Sequence, residues 1–429
     1  MEIQQLRLGS PNLLIRVDAN ERIGTGHVMR CLALAQAWQE ADRQVNFVMG
    51  TEAPALEARL NAENMPVAHV STQPGGVDDV KQTLCLAQEC GADWIVVDGY
   101  HFGADYQYSI KQAGQRLLAL DDYGHATHYS ADLILNQNLS ATETLYADRD
   151  PHTQLLLGVR YALLRHEFWP WRGWRRETPE EARKILVTLG GSDPDNVTLK
   201  VLQALQQIET DELEATIVLG PANQHLEILR RECQIPSDRL RFVTSATNMQ
   251  ELMAWADVAI SAGGSTCWEL AFMGLPTLTI VLADNQRSVA EGLNTAGAAL
   301  NLGWHANLSP ADISTALSAI LIAKTTRLQM MKQSQMLIDG LGARRVGERM
   351  RAYGMPIFLR FAIEGDCQMI WEWANDPEVR LASFSPDPIS WEDHVAWFHR
   401  KLKDPNHVFF IAMNASDAPI GQVRCDIDG

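Results

Sequence analysis

Short apolar runs that alternate with longer amphipathic stretches restrict the fold of this chain more than any other feature of its sequence. The runs Leu13–Val17, Val45–Met49, Trp94–Val97, Leu117–Leu120 and Leu133–Leu135 read as buried strands. A second series follows at Ile185–Leu189, Ala215–Leu219, Val258–Ile260 and Thr277–Val281. Between them, Val28–Gln39, Val80–Cys90, Asn196–Ile208 and Thr266–Met273 carry apolar residues at helical spacing. Strand and helix in strict alternation predict parallel sheets covered by helices on both faces.

The alternation breaks twice. The Trp/Arg-rich stretch His166-Glu167-Phe168-Trp169-Pro170-Trp171-Arg172-Gly173-Trp174-Arg175-Arg176 reads as a linker with aromatic anchors. A second break runs from Asp339-Gly340-Leu341-Gly342 to Gly354-Met355-Pro356. Beyond it the order changes to strand Ile357–Phe361, helices Cys367–Ala374 and Trp391–Lys403, and strands Val408–Met413 and Pro419–Cys425 around a hairpin turn at Asn414–Ala418. The expectation is an α/β protein with two Rossmann-like domains, residues 12–165 and 180–350, facing across a cleft. An incomplete α+β segment follows at 356–429. A length of 429 residues is consistent with three domains.

Composition narrows the function. A net charge of -17 argues against nucleic acid, which calls for a basic stripe. A phosphate-bearing ligand must then be held by local backbone dipoles and a few arginines. The 7 cysteines are scattered without a C-x-x-C pair and read as thiols of a reducing compartment, with no zinc site. The start of the chain lacks a basic region leading into an apolar core, and no stretch approaches about 18 apolar residues. The expectation is a cytoplasmic protein that engages no membrane.

In open α/β sheets, ligands gather at the C-terminal ends of the strands. Ile23-Gly24-Thr25-Gly26-His27, with Arg30 three residues on, lies between the first strand and the first helix. Its glycines permit a tight turn, the helix start presents free N–H groups, and His27 supplies an acid or base that works near neutral pH. Asp18 ends the same strand. Asp98-Gly99-Tyr100-His101, Asp121-Asp122-Tyr123 and Asn136-Gln137-Asn138 end three others. Each is equally a set of turn and cap residues, and together they predict a polar pocket at one sheet edge. Asp18, Asp98, Asp121 and Asp122 are also the candidates for a metal site, which the expectation does not include.

In the second series, Leu189-Gly190-Gly191-Ser192-Asp193-Pro194 follows a strand. Ser261-Ala262-Gly263-Gly264-Ser265-Thr266-Cys267-Trp268-Glu269 follows another and opens a helix. Ser265 or Thr266 suits the cap of that helix, while Gly263 and Gly264 let the backbone approach a diphosphate. Glu269 suits either a capping box or two ribose hydroxyls. Asp284-Asn285-Gln286 offers amides for sugar hydroxyl and acetamido groups. No G-x-x-x-x-G-K-[ST] motif occurs. Gly24-Thr25-Gly26 lacks the third glycine of a dinucleotide fingerprint, so an oxidoreductase is disfavoured.

Taken together, Arg16-Val17-Asp18 through His27 and Arg30, Leu189 to Ser192, Ser261 to Glu269 and Asp284 to Gln286 resemble the UDP-sugar hydrolases of pseudaminic acid biosynthesis. The resemblance covers roughly residues 12–350. Such enzymes look like two-domain (GT-B) nucleotide-sugar glycosyltransferases whose acceptor is water. The resemblance implies release of UDP from a UDP-linked 2,4-diacetamido-2,4,6-trideoxy sugar, with no cofactor and no metal. His27 would then take the proton of the attacking water, and Asp18 would orient His27 or the water or steady a developing oxocarbenium ion. Tyr100 and Asn138 would meet the sugar, and the turns at Gly191 and Gly264 would stabilise the leaving UDP. The alternatives are a GT-B transferase acting on an acceptor alcohol and a binding module without catalysis. Other enzymes of the pathway are the candidate partners.

From about residue 357 the sequence resembles the start of a GNAT N-acetyltransferase. Leu359-Arg360, Trp371-Glu372-Trp373-Ala374-Asn375-Asp376-Pro377-Glu378-Val379-Arg380 and Trp391-Glu392-Asp393-His394 carry the resemblance. That family's acetyl-CoA pyrophosphate loop would follow residue 429. The expectation is therefore a truncated or remnant domain that does not acetylate by itself.

Overall fold

The computed structural model describes residues 12–426 except 20–23, 41–42, 209–211, 221–222, 237, 245, 384, 386, 405 and 415–417. Ile23 and the middle of the expected hairpin turn, residues 415–417, lie outside the described residues. The described chain forms two compact units that divide at Gly347 and Glu348.

The larger unit contains two parallel sheets. Strands β1 (Asn12–Val17), β2 (Val45–Met49), β3 (Val67–His69), β4 (Ala92–Asp98), β5 (Arg116–Leu120), β6 (Leu133–Asn136) and β7 (Gln154–Leu157) form a seven-stranded sheet in the order β3-β2-β1-β4-β5-β6-β7. Strands β8 (Lys184–Thr188), β9 (Glu214–Leu219), β10 (Leu240–Thr244), β11 (Val258–Ala262), β12 (Thr277–Val281) and β13 (Ala299–Trp304) form a six-stranded sheet, β10-β9-β8-β11-β12-β13. The two expected Rossmann-like domains are both present. In each, the strand order reverses beside the first strand: between β1 and β4, and between β8 and β11. Helices diverge to opposite faces at such a point and leave a crevice over the strand ends.

Burial explains why these runs are central strands. All residues of β11 and β12 are buried, and so are five of the six in β1. One of those five is Arg16. Its guanidinium forks onto both Asp79 oxygens at 3.0 Å and reaches Asp18 at 2.7 Å, so the buried charge is paired.

The Trp/Arg-rich stretch is more firmly packed than a simple linker. His166–Trp171 forms a 3₁₀ turn, and Phe168 is buried in the second domain's core beside Phe272. Arg176 donates to the carbonyls of Met253, Ala256 and Met273. The helix expected at Thr266–Met273 spans Thr266–Phe272, and Ser265 stands at its N-cap without a side-chain capping bond. The expected Ser265 cap is therefore corrected, and its hydroxyl is left to face the cleft.

The smaller unit holds a three-stranded antiparallel sheet, β14 (Ile357–Phe361), β15 (His407–Asn414) and β16 (Pro419–Asp426), in the order β14-β15-β16. Helices Cys367–Ala374 and Trp391–Lys403 supply its core, with Ile370 and Phe398 packed against Phe409 and Ile411. A further short helix, Pro377–Leu381, begins at the Asp376 cap.

Candidate active site

The two strand-order reversals of the larger unit face one another across a cavity of about 1150 Å³. From the first domain, Gly24, Gly26, His27, Arg30, Tyr100 and Asn138 line it. From the second come Gly191, Ser192, Gly263, Gly264, Ser265, Thr266, Glu269, Asn285 and Gln286. Fifteen of the residues singled out in the sequence thus share one wall-to-wall space, and Asp18 does not line it.

His27 opens the helix Gly26–Gln39, directly after the β1 turn. Its Nδ1 lies 2.6 Å from Asp98 Oδ1, at the end of β4. A carboxylate there fixes the proton on Nδ1 and leaves Nε2 as the acceptor. Among the described residues Nε2 has no hydrogen-bond partner. Asp98 is fully buried and also accepts from Arg30 Nε and Nη2, both at 2.7 Å. Burial alone would raise its pKa, but the charge of Arg30 and the hydrogen bonds from Arg30 and His27 outweigh this and hold its carboxyl well below the usual range.

A chain of polar contacts continues outward. Arg30 Nη1 donates to Asp122 Oδ1 at 2.8 Å, and Tyr100 donates to Asp122 Oδ2 at 2.8 Å. Asn138 Nδ2 bonds the same Asp122 Oδ1 at 3.1 Å. Burial, reinforced by Asp122, pushes the Tyr100 hydroxyl far above its ordinary pKa, so it stays protonated. Asn285 reaches across the cavity and donates to the Tyr100 oxygen at 3.0 Å.

Asp18 requires a correction. It does not orient His27. Its Oδ1 accepts from Arg16 and from the Gly50 N–H at 2.6 Å, and its Oδ2 lies 3.1 Å from His101 Nε2. The carboxylate is spent holding β1 to its neighbouring loops. The residue that orients His27 is Asp98, which ends the strand adjacent to β1. Nor do the four aspartates converge. Asp121 is held by the N–H groups of Tyr123 and Gly124 and by His125, apart from the partners of the other three.

In the second domain the glycine turns allow close approach. Gly190 has φ +93°, and a Cβ on Gly191 would stand 2.8 Å from Thr25 Oγ1 of the first domain. A Cβ on Gly220 would collide with the Gly191 backbone at 2.3 Å. Asp193 and Asn196, at φ +45° and +49°, adopt the left-handed region in the same loop, strain that collects where function fixes a backbone. Asp193 offsets it by accepting from the N–H groups of Val197 and Thr198, which start the next helix. Among the described residues the N–H groups of Gly191, Ser192, Gly264 and Ser265 make no hydrogen bond. Glu269 makes no capping box. Its Oε1 accepts from Arg165 Nε at 2.9 Å. Gln286 spends its side-chain oxygen on the Leu282 N–H and keeps its amide donors free.

Sequence reasoning missed Arg165, Thr25 and the part played by Asp98 and Asp122. Arg165 stands in Leu163-Leu164-Arg165-His166-Glu167, where nothing local ties it to Glu269.

Residues 185–345 match the model of the glycosyltransferase family 28 C-terminal domain. The spore coat polysaccharide biosynthesis protein SpsG of Bacillus subtilis is 33% identical over 338 residues, 77% of this chain and 95% of that protein. The chain belongs to the SpsG family. The UDP-2,4-diacetamido-2,4,6-trideoxy-beta-L-altropyranose hydrolase of Campylobacter jejuni is 24% identical over 287 residues, covering 66% of this chain and 97% of the relative. The crystal structure of Acinetobacter baumannii MurG superposes with a TM-score of 0.56 at 17% identity, over 80% of this chain and 99% of MurG. The fold of this SpsG-family chain is therefore GT-B, with a small antiparallel sheet after it. Among the described residues no helix is long and apolar enough to cross a membrane.

Proposed function

We propose that the chain hydrolyses a UDP-linked 2,4-diacetamido-2,4,6-trideoxy sugar to free sugar and UDP by attack of water at the anomeric carbon. The observation that carries this reading is the His27–Asp98 pair at 2.6 Å, with Nε2 unpartnered on the cavity side. A protein that only stored a nucleotide sugar would have no use for an imidazole set in this way.

The second domain takes UDP. Val218, Leu219 and Met249 give the cavity an apolar end suited to the base, and Glu269 accepts from ribose hydroxyls. The diphosphate lies along the turns at Gly191–Ser192 and Gly263–Thr266. As the bond between C1 and the β-phosphate oxygen breaks, charge grows on that phosphate. The unbonded N–H groups of both turns face it without a lysine. Asn285, Gln286, Tyr100 and Asn138 border the part of the cavity left for the sugar, with Tyr100 and Asn285 bonded to each other on its wall. Water attacks C1, and His27 Nε2 receives its proton while Nδ1–H stays on Asp98. Positioned general bases of this kind contribute about 10²–10⁴ in rate.

The domains are assigned to residues 12–165 and 180–350, with a GNAT-related third at 356–429. We place the protein in the cytoplasm beside the enzymes that make and consume the same sugar. The relative named as a hydrolase, similar along nearly its whole length, supports the choice of substrate. The family 28 match favours a second reading, transfer of the sugar to an alcohol. Incubating the purified protein with the UDP-sugar and no acceptor separates the two. UDP release supports hydrolysis, and absence of UDP until an alcohol is added supports transfer. His27→Ala is expected to abolish turnover while UDP still binds.

A further inference from the structure

The hydrogen bond between Tyr100 and Asn285 joins the first domain to the second beside the base. Tyr100 is gripped at both ends of its dipole: the hydroxyl donates to Asp122 at 2.8 Å and accepts from Asn285 Nδ2 at 3.0 Å. Its ring stands edge-on to the His27 imidazole, with centroids 5.3 Å apart and planes at 82°. On another flank, Thr25 packs so close to Gly191 that no Cβ fits between them. The base therefore works between two points where the domains touch. Both contacts lie on the wall of the cavity that His27 lines, where a nucleophile with its own carbon skeleton needs more room than water.

We propose that the Tyr100–Asn285 bridge is the specificity determinant that selects water over alcohols as the nucleophile. This rests on the hydrolytic reading above and extends it. An alcohol would react in the same balanced way as water. Its oxygen would bond to C1, its proton would pass to His27, and the C1–oxygen bond to the β-phosphate would break to release UDP. Chemistry alone therefore does not discriminate; access does. Tyr100 and Asn285 act here through the space they close, in addition to their contacts with the sugar.

The test is product partition. Purified full-length protein is given the UDP-sugar in buffer containing methanol, or glycerol as a bulkier alcohol. Free sugar and alkyl glycoside are then counted by mass spectrometry. The parent protein is expected to give free sugar almost exclusively. Asn285→Ala removes the bridge but keeps Tyr100 on Asp122, and Tyr100→Phe removes the hydroxyl but keeps the ring. Both variants are expected to turn over more slowly and to raise the glycoside-to-sugar ratio at least fivefold, more for glycerol than for methanol. A general loosening of the fold would lower the rate without moving that ratio. An unchanged ratio in both variants overturns the inference, and so does complete loss of turnover in both, which would make the bridge part of the chemistry. Failure of the parent to release UDP without an alcohol would instead sink the hydrolytic reading itself.

Discussion

Replacing Asp98 by asparagine separates the geometry of the base from its charge. The amide has the shape of the carboxylate, but it brings two donors and one acceptor to a place that offers only donors. Asp98 now receives His27 Nδ1 at 2.6 Å and two Arg30 nitrogens at 2.7 Å. In Asp98→Asn the amide oxygen is drawn to Arg30, whose guanidinium cannot deprotonate, and the NH₂ turns toward His27. Nδ1 then becomes an acceptor and the proton moves to Nε2, where it blocks uptake of a proton from water. The expected loss in kcat is about 10³, or about 4 kcal/mol of barrier, in the middle of the range for a positioned base. Breaking a buried pair from one side costs about 3–5 kcal/mol. Arg30 keeps Asp122 at 2.8 Å, which places the stability loss at the lower end of that range. At roughly 2–4 °C per kcal/mol for a domain of this size, Tm should fall by about 6–12 °C. UDP release measures the first effect, calorimetric titration with UDP the control, and thermal unfolding the last. The reasoning fails if kcat stays within threefold of the parent. It also fails if UDP affinity drops in step with kcat, because Asp98 would then be holding up the fold rather than the imidazole.

Other outcomes follow from the same contacts. Gly220→Ala drives a methyl into the Gly191 backbone, and about 1–3 kcal/mol of overpacking strain should lower Tm and displace the turn, weakening UDP binding in titration. Glu269→Ala removes the proposed ribose acceptor and leaves Arg165 paired with Glu167, at 3.1 Å. UDP should bind about 10–100-fold more weakly, as expected for hydrogen bonds to a charged group, with a much smaller change in kcat. Acid stability has a defined sign. Asp18, Asp98 and Asp121 are each held low in the folded state against the cost of burial, by His101 and Arg16, by Arg30 and His27, and by His125 and Tyr129 respectively. Their contribution is complete above the unfolded carboxyl pKa of about 4 and is lost as pH falls through it toward their folded values. Unfolding free energy should therefore drop below about pH 5, and Asp98→Asn should drop less steeply, as followed by denaturant titration.

Central strands and glycine turns were legible in the sequence because burial on both faces leaves an unbroken apolar run. The strands that escaped notice, β3, β7, β10 and β13, are the edges of the two sheets. β10 (Leu-Arg-Phe-Val-Thr) and β13 (Ala-Leu-Asn-Leu-Gly-Trp) each bury only their first residue, so their pattern resembles that of a loop. The turn residues of the site were found because glycine and histidine at strand ends have few other uses. Asp18 misled for a physical reason. It ends the same strand that leads to His27, but the partner of a group at a strand end belongs to the neighbouring strand. Only the order of the strands reveals that β4, and so Asp98, lies beside β1. Arg165 escaped for a similar reason, since its partner Glu269 is 104 residues away.

Hydrolysis at the anomeric carbon is tested most directly in ¹⁸O-enriched water. The UDP-sugar is incubated with the protein and no alcohol, and both products are weighed at short times by mass spectrometry. Water attacking C1 puts ¹⁸O in the free sugar and none in UDP. Label in the phosphate of the nucleotide product would mean that a P–O bond breaks, and no UDP at all would mean that water is not the acceptor. Either result would contradict the assignment of His27 as the base for an attack on carbon.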